Sequence, residues 1–93
     1  MYERTLRQMR ECIRTRRYVM TTHAEEEMND DDLSIFDVER VILTGSIIER
    51  QTDKETGEWK YLVAGQLIEG TAFIVVGKVS VTGKLVLITV YRE

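Results

Sequence analysis

The sequence predicts an α+β fold in which N-terminal helices pack on a four-stranded antiparallel meander sheet. Up to Gly45 the apolar residues recur every three or four positions, the period of a helix with one buried face. From Ser46 onward the period drops to two and β-branched residues dominate. The later apolar runs are joined by short polar or glycine-bearing turns, which place neighbouring strands antiparallel. With 93 residues and no Pro-rich linker, repeat or low-complexity tract, residues 1–93 read as one domain. A chain this short buries only about 60–65% of the surface its unfolded form exposes.

Tyr2, Leu6, Met9 and Ile13 follow one another at spacings of four, three and four, predicting a first helix to about Thr15. Arg7, Arg10, Arg14 and Arg17 form a second, basic stripe on that helix. It reads either as a solvated face or as a surface for phosphate or an acidic partner. Tyr18-Val19-Met20-Thr21 leans towards β structure and leads into Thr22-His23-Ala24-Glu25, which has the form of a capping box with Thr22 as N-cap and His23 first in the helix. Ala24 and Met28 can face inward. Asn29-Asp30-Asp31-Asp32 then breaks the helix. That acidic run has the look of half a calcium loop but lacks the turn glycine and the terminal glutamate such a loop needs. Ser34 and Asp37 mark a further helix start, with Leu33 stapled to Val38, and Gly45 is expected to end that helix in the left-handed conformation.

The four expected strands are Ile47 to Gln51, Trp59 to Leu67, Phe73 to Val81 and Leu85 to Arg92. In the last, Leu85, Leu87, Thr89 and Tyr91 share one face and Val86, Ile88, Val90 and Arg92 the other. Both faces are largely apolar, which marks a central strand. Lys60 and Lys78 are read most simply as solvent-reaching side chains near a sheet edge.

Composition excludes several classes. No apolar run approaches the roughly 18–20 residues of a membrane span, and no apolar core of an export signal precedes the first helix. Cys12 is the one cysteine, so no internal disulfide or cysteine cluster forms, and a cytoplasmic setting is expected. The net charge of −3 argues against a general polyanion binder, yet residues 1–19 carry six arginines against two glutamates and residues 25–32 carry six acids and no base. His23 is the one histidine in the chain. It reads as a capping-region residue bonded to a nearby carbonyl or to Glu26, or as an acid/base group with Glu26 or Glu27 one turn away. Without a second His or a Cys it is a poor transition-metal ligand, so no metal or cofactor is expected.

Thr21, His23, Ala24 and Met28, then Asp37 and Val38, then Gly45, Ile47, Ile48 and Glu49, then Thr89, Val90 and Tyr91 form an ordered set. In that set, from about Val19 to Arg92, the chain resembles a family of small prokaryotic domains of unknown function. The family is distantly similar to the RelE-type and BrnT-type toxin fold, and the resemblance implies a neighbouring gene for a small zinc-finger protein of the MqsA or YgiT type, as its members similar to this chain often have. The resemblance implies a RelE-like scaffold and the toxin of a type II toxin–antitoxin pair, cleaving RNA without a metal. The implied partners are a zinc-finger antitoxin and an RNA substrate. Many relatives carry arginine where this chain has Glu27, and a glutamate cannot contact a scissile phosphate; the chain then uses another cation or is not a nuclease.

Metal-free RNA cleavage needs a base for the ribose 2′-OH, an acid for the leaving 5′-oxygen and a cation for the phosphate. His23, Glu26 and Tyr91 are the candidate catalytic residues. Arg17, Lys60, Lys78 and Arg92 are candidates for the phosphate, and Tyr61, with Trp59, for stacking on a base. A non-catalytic module that docks a small partner protein is the alternative.

Overall fold

Residues 1–93 are described by the computed structural model. Three helices, α1 (Glu3–Arg14), α2 (Thr22–Asp30) and α3 (Ile35–Thr44), accompany five strands: β1 (Tyr18–Met20), β2 (Ser46–Thr52), β3 (Trp59–Gln66), β4 (Ala72–Val79) and β5 (Leu85–Arg92). The fold is α+β, and the sheet differs from the expected four-stranded antiparallel one. Its order is β1-β5-β4-β3-β2, with β1 parallel to β5 and the other pairs antiparallel. The β-leaning stretch before α2 supplies the fifth strand. Its three residues, beside Leu85 to Leu87, make β5 an inner strand.

The apolar stripes of the helices meet one face of this sheet. Met9, Cys12 and Ile13 of α1, Ala24 and Met28 of α2, and Val38, Val41 and Ile42 of α3 are buried together with Val63, Phe73, Val75, Leu85, Leu87 and Val90. Burying such side chains supplies most of the drive to fold, at about 25 cal/mol per Å² of apolar surface. On the opposite face Leu62, Ile74 and Val76 form a smaller cluster with Ala64 and Ile88, and no helical residue contributes to it.

Two extra residues break the alternation. Ile48 is inserted in β2, between Ile47 opposite Val63 and Glu49 opposite Leu62. Ile88 is inserted in β5, between Leu87 opposite Gly77 and Thr89 opposite Val76. Each is a β-bulge, and one inserted residue exchanges the faces of everything beyond it. Thr89 and Tyr91 therefore lie on the outer face with Val76 and Ile74, and Val90 joins Leu85 and Leu87 in the main core. The expectation that Leu85, Leu87, Thr89 and Tyr91 share a face fails at that bulge.

The helix ends also correct the reading. The N-cap of α2 is Thr21, whose side chain accepts from the Ala24 N–H, so the cap sits one residue earlier and His23 is the second helical residue. Asn29 and Asp30 stay helical; the helix is closed by Asp32 at a φ of 55°, with the Leu33 N–H donating to the Met28 carbonyl. Aspartate tolerates this left-handed conformation through its short polar side chain. The acidic run is a helix terminus. Gly45 is extended, at a φ of −87° and ψ of −166°, and not left-handed. Glycine is required there for space, because a Cβ would stand 2.3 Å from the Ala64 carbonyl oxygen and 2.5 Å from that of Val41. Ser34 and Asp37 do form the expected capping box.

Arg10 donates to the Ile42 and Gly45 carbonyls at the end of α3, at 3.2 and 2.9 Å, and Arg17 donates to the Thr82 carbonyl. Half of the basic stripe is thus spent inside the molecule. No helix is long and apolar enough to cross a membrane.

Tyr18 ties β1 to α3 by donating to the Glu39 carboxylate, and burial, then that bond, push its hydroxyl pKa up to about 12. A raised folded-state pKa contributes stability that is complete below the unfolded value of about 10 and is lost as pH climbs to about 12. Base titration of the folded protein should therefore show a loss of stability across that window that Tyr18→Phe abolishes; an unchanged alkaline profile in the variant counts against this bond. Gly45→Ala should lower the denaturation midpoint by the equivalent of about 1–3 kcal/mol or more, as overpacking against backbone does.

Candidate functional site

β1 is too short to cover the whole edge of β5. It pairs through Met20 with Leu87, and the Thr21 N–H still donates to the Leu87 carbonyl at 3.0 Å. There the chain turns into α2, which runs beside the rest of β5 where a strand would otherwise lie. Backbone groups on that edge need partners, since an unpaired buried amide or carbonyl is costly. Side chains of α2 and its cap supply them. The Thr21 hydroxyl donates to the Ile88 carbonyl at 2.8 Å while accepting from Ala24 at 3.1 Å. One Glu27 carboxylate oxygen accepts from the Val90 N–H at 2.9 Å and from the Thr89 hydroxyl.

His23 stands one helical turn before Glu27, with its Nε2 3.5 Å from the same carboxylate oxygen. That spacing suits an ion pair once the ring is protonated and is longer than a good hydrogen bond. The two side chains differ in exposure, 66% for His23 and 23% for Glu27. A solvent-exposed imidazole thus sits against a carboxylate held by two further donors. Such a pair can accept a proton and hold the resulting imidazolium, the task of a general base.

The expected site residues distribute unevenly around this corner. Glu26 is exposed and takes part in no ion pair with His23, and Glu27 is the carboxylate beside the imidazole. Tyr91 is two residues beyond Thr89 on the outer sheet face, opposite Ile74 and 38% exposed. Lys60 and Lys78 are on that same face at its other end. Lys78 is no edge residue: it sits on inner strand β4, 2.9 Å from Glu58 and 3.8 Å from Asp53. Those acids hold its ammonium above the usual lysine range, the Glu58 hydrogen bond first, and the Glu58 carboxyl is lowered in turn by that bond. Asp53 is lowered chiefly by the backbone N–H of Glu55.

Arg92 lies on the helix side, 3.7 Å from Asp31 and over the Phe73 ring. Tyr61 also faces that side, edge-on to Tyr2 at 5.7 Å between centroids. Arg17 belongs to the far end of β1, beside Leu85. The structure therefore gathers His23, Glu27 and Thr89, sets Tyr91 on the adjoining face, and leaves Arg17, Arg92, Tyr61 and the lysines elsewhere. Sequence reasoning missed Thr21 and Thr89 as polar partners of this edge. The His23–Glu27 spacing of four was a visible signal; the need of Val90 for an acceptor was not, because it follows from the bulge.

Glu27→Ala should cost about 1–3 kcal/mol in urea denaturation, the penalty of a buried amide left without an acceptor. Glu27→Gln keeps an amide oxygen for Val90 and should recover most of that loss. His23→Ala, at an exposed position, should change stability by less than about 0.5 kcal/mol. A Glu27→Ala protein as stable as the parent would show that the Val90 contact is dispensable.

A family model described as "Domain of unknown function (DUF4258)" matches residues 20–92. No curated protein and no solved structure matches the chain.

Proposed function

The chain belongs to the DUF4258 family, a domain of unknown function, and from that premise we propose that it is the toxin of a toxin–antitoxin pair, a metal-independent endoribonuclease on a RelE-like scaffold. The observation that supports this reading most is the His23–Glu27 pair, an exposed imidazole 3.5 Å from a fixed carboxylate oxygen. In the proposed reaction neutral His23 takes the proton of a ribose 2′-OH, and the 2′-oxygen attacks phosphorus. The bond from phosphorus to the 5′-oxygen breaks, and that oxygen is protonated as it leaves. Products are a 2′,3′-cyclic phosphate and a 5′-hydroxyl. Glu27 orients the imidazole and balances the charge it gains. Tyr91, two residues beyond Thr89 on the adjoining sheet face, serves as the acid in this reading.

The sheet face itself favours a second reading, a module that docks a small partner protein without catalysis. No helix covers Leu62, Ile74 and Val76, and Ile48 and Tyr91 stand exposed near them. In the toxin reading the same face receives the proposed zinc-finger antitoxin.

Purified protein incubated with RNA in EDTA should yield cyclic-phosphate ends, and His23→Ala should slow cleavage by about 10²–10⁴, the usual contribution of a positioned acid or base. Induction of the chain alone should arrest growth, and co-expression of a zinc-finger partner should relieve the arrest. Intact RNA together with unimpaired growth would refute the nuclease and leave the docking module.

A further inference from the structure

On the helix side of the sheet, at the corner diagonally across from His23, Trp59 ends β3 and is half exposed, at 48%. One face of its indole is covered: the Arg50 guanidinium lies 3.9 Å from the ring centroid and is backed in turn by Tyr2 at 5.4 Å. Beside the indole opens a cleft of about 310 Å³ lined by Thr5, Gln8, Glu58, Trp59, Tyr61 and Val79. Aromatic floor and wall carry two polar groups. The Gln8 amide donates and accepts and the Thr5 hydroxyl does both, while Glu58, which also lines the cleft, gives its carboxylate to Lys78 on the opposite face of the sheet.

We propose that this cleft is a nucleobase subsite, in which one unpaired base of an RNA strand stacks on Trp59 with Gln8 and Thr5 along its hydrogen-bonding edge. A planar base fits better than a cation, because Arg50 already holds the other face of the indole and Lys78 already neutralises Glu58. It fits better than an aliphatic group, because stacking uses the flat ring while an edge of donors and acceptors answers the polar wall. Arg4 is exposed, takes part in no ion pair within 4.0 Å and precedes Gln8 by one turn on the same side of α1, where it can meet the adjoining phosphate.

The subsite rests on the RNA reading for its ligand but not on cleavage, and the two are tested apart. Trp59 is the one tryptophan of the chain, so indole fluorescence reports this cleft alone. Titration with a 2′-O-methyl oligoadenylate, which cannot be cleaved through its 2′-oxygen, should quench that fluorescence saturably. A strand of equal length with no bases should bind about tenfold or more weakly, since base stacking carries the affinity. Gln8→Ala, an exposed helical position that tolerates alanine, should weaken binding about fivefold. Binding without cleavage by the parent refutes the nuclease and keeps the subsite. Absence of quenching, equal binding of the baseless strand, or full affinity in Gln8→Ala overturns the subsite whether or not RNA is cut.

Discussion

The unpaired half of the β5 edge is the constraint on which the rest of the site depends. An inner strand needs acceptors and donors along both sides, and β1 provides them only as far as Leu87. Beyond it the chain must either extend the strand or bring polar side chains to the edge. It does the second, with the Thr21 hydroxyl at the Ile88 carbonyl and the Glu27 carboxylate at the Val90 amide. Both contacts demand that α2 start where it does, at Thr22 directly after the Thr21 cap, and lie along β5. The exposed position of His23 follows from this. The helix turn that delivers Glu27 to the sheet necessarily leaves the residue four positions earlier beside it, on the side facing solvent.

The bulge at Ile88 is the second part of the same device. Were the strand to alternate regularly through Ile88, with no bulge, Val90 would fall on the outer face and Thr89 in the core, where its hydroxyl would need a buried partner. With it, Val90 fills the core beneath α2, its amide faces Glu27, and Thr89 and Tyr91 come to the outer face. A single inserted residue thereby sets the packing of α2 and joins the His23 corner to the uncovered sheet face. The proposed reaction and the proposed docking both depend on that junction.

Much of this fold was legible as pattern. The change of period at Ser46, the Ser34–Asp37 capping box and the apolar character of both faces of Leu85 to Arg92 gave the class, a helix start and the inner position of β5. What escaped was whatever depends on a partner distant in sequence. Three residues such as Tyr18 to Met20 carry too little alternation to reveal a strand, and their pairing with Leu85 to Leu87 spans most of the chain. Gly45 was read for its backbone freedom when the cause was the Ala64 carbonyl against it. Thr21 rather than Thr22 became the cap because its hydroxyl must also reach Ile88, a contact that local capping rules do not contain. The cation candidates misled for a similar reason: charge along the sequence does not show that Arg10 closes α3 or that Lys78 is held by Glu58 and Asp53.

Position 27 concentrates the tension between edge and chemistry. An arginine at that position could approach a phosphate with its guanidinium but has no acceptor to offer an amide such as that of Val90. Glutamate reverses the trade, satisfying the strand and removing a cation from the corner beside His23. Its negative charge also opposes a phosphate brought close to the imidazole. The Val90 amide and the Thr89 hydroxyl bond the carboxylate without cancelling that charge, and only a protonated His23 offsets it. The residue that closes the sheet edge is thus also the one that decides how near to His23 an anion can come.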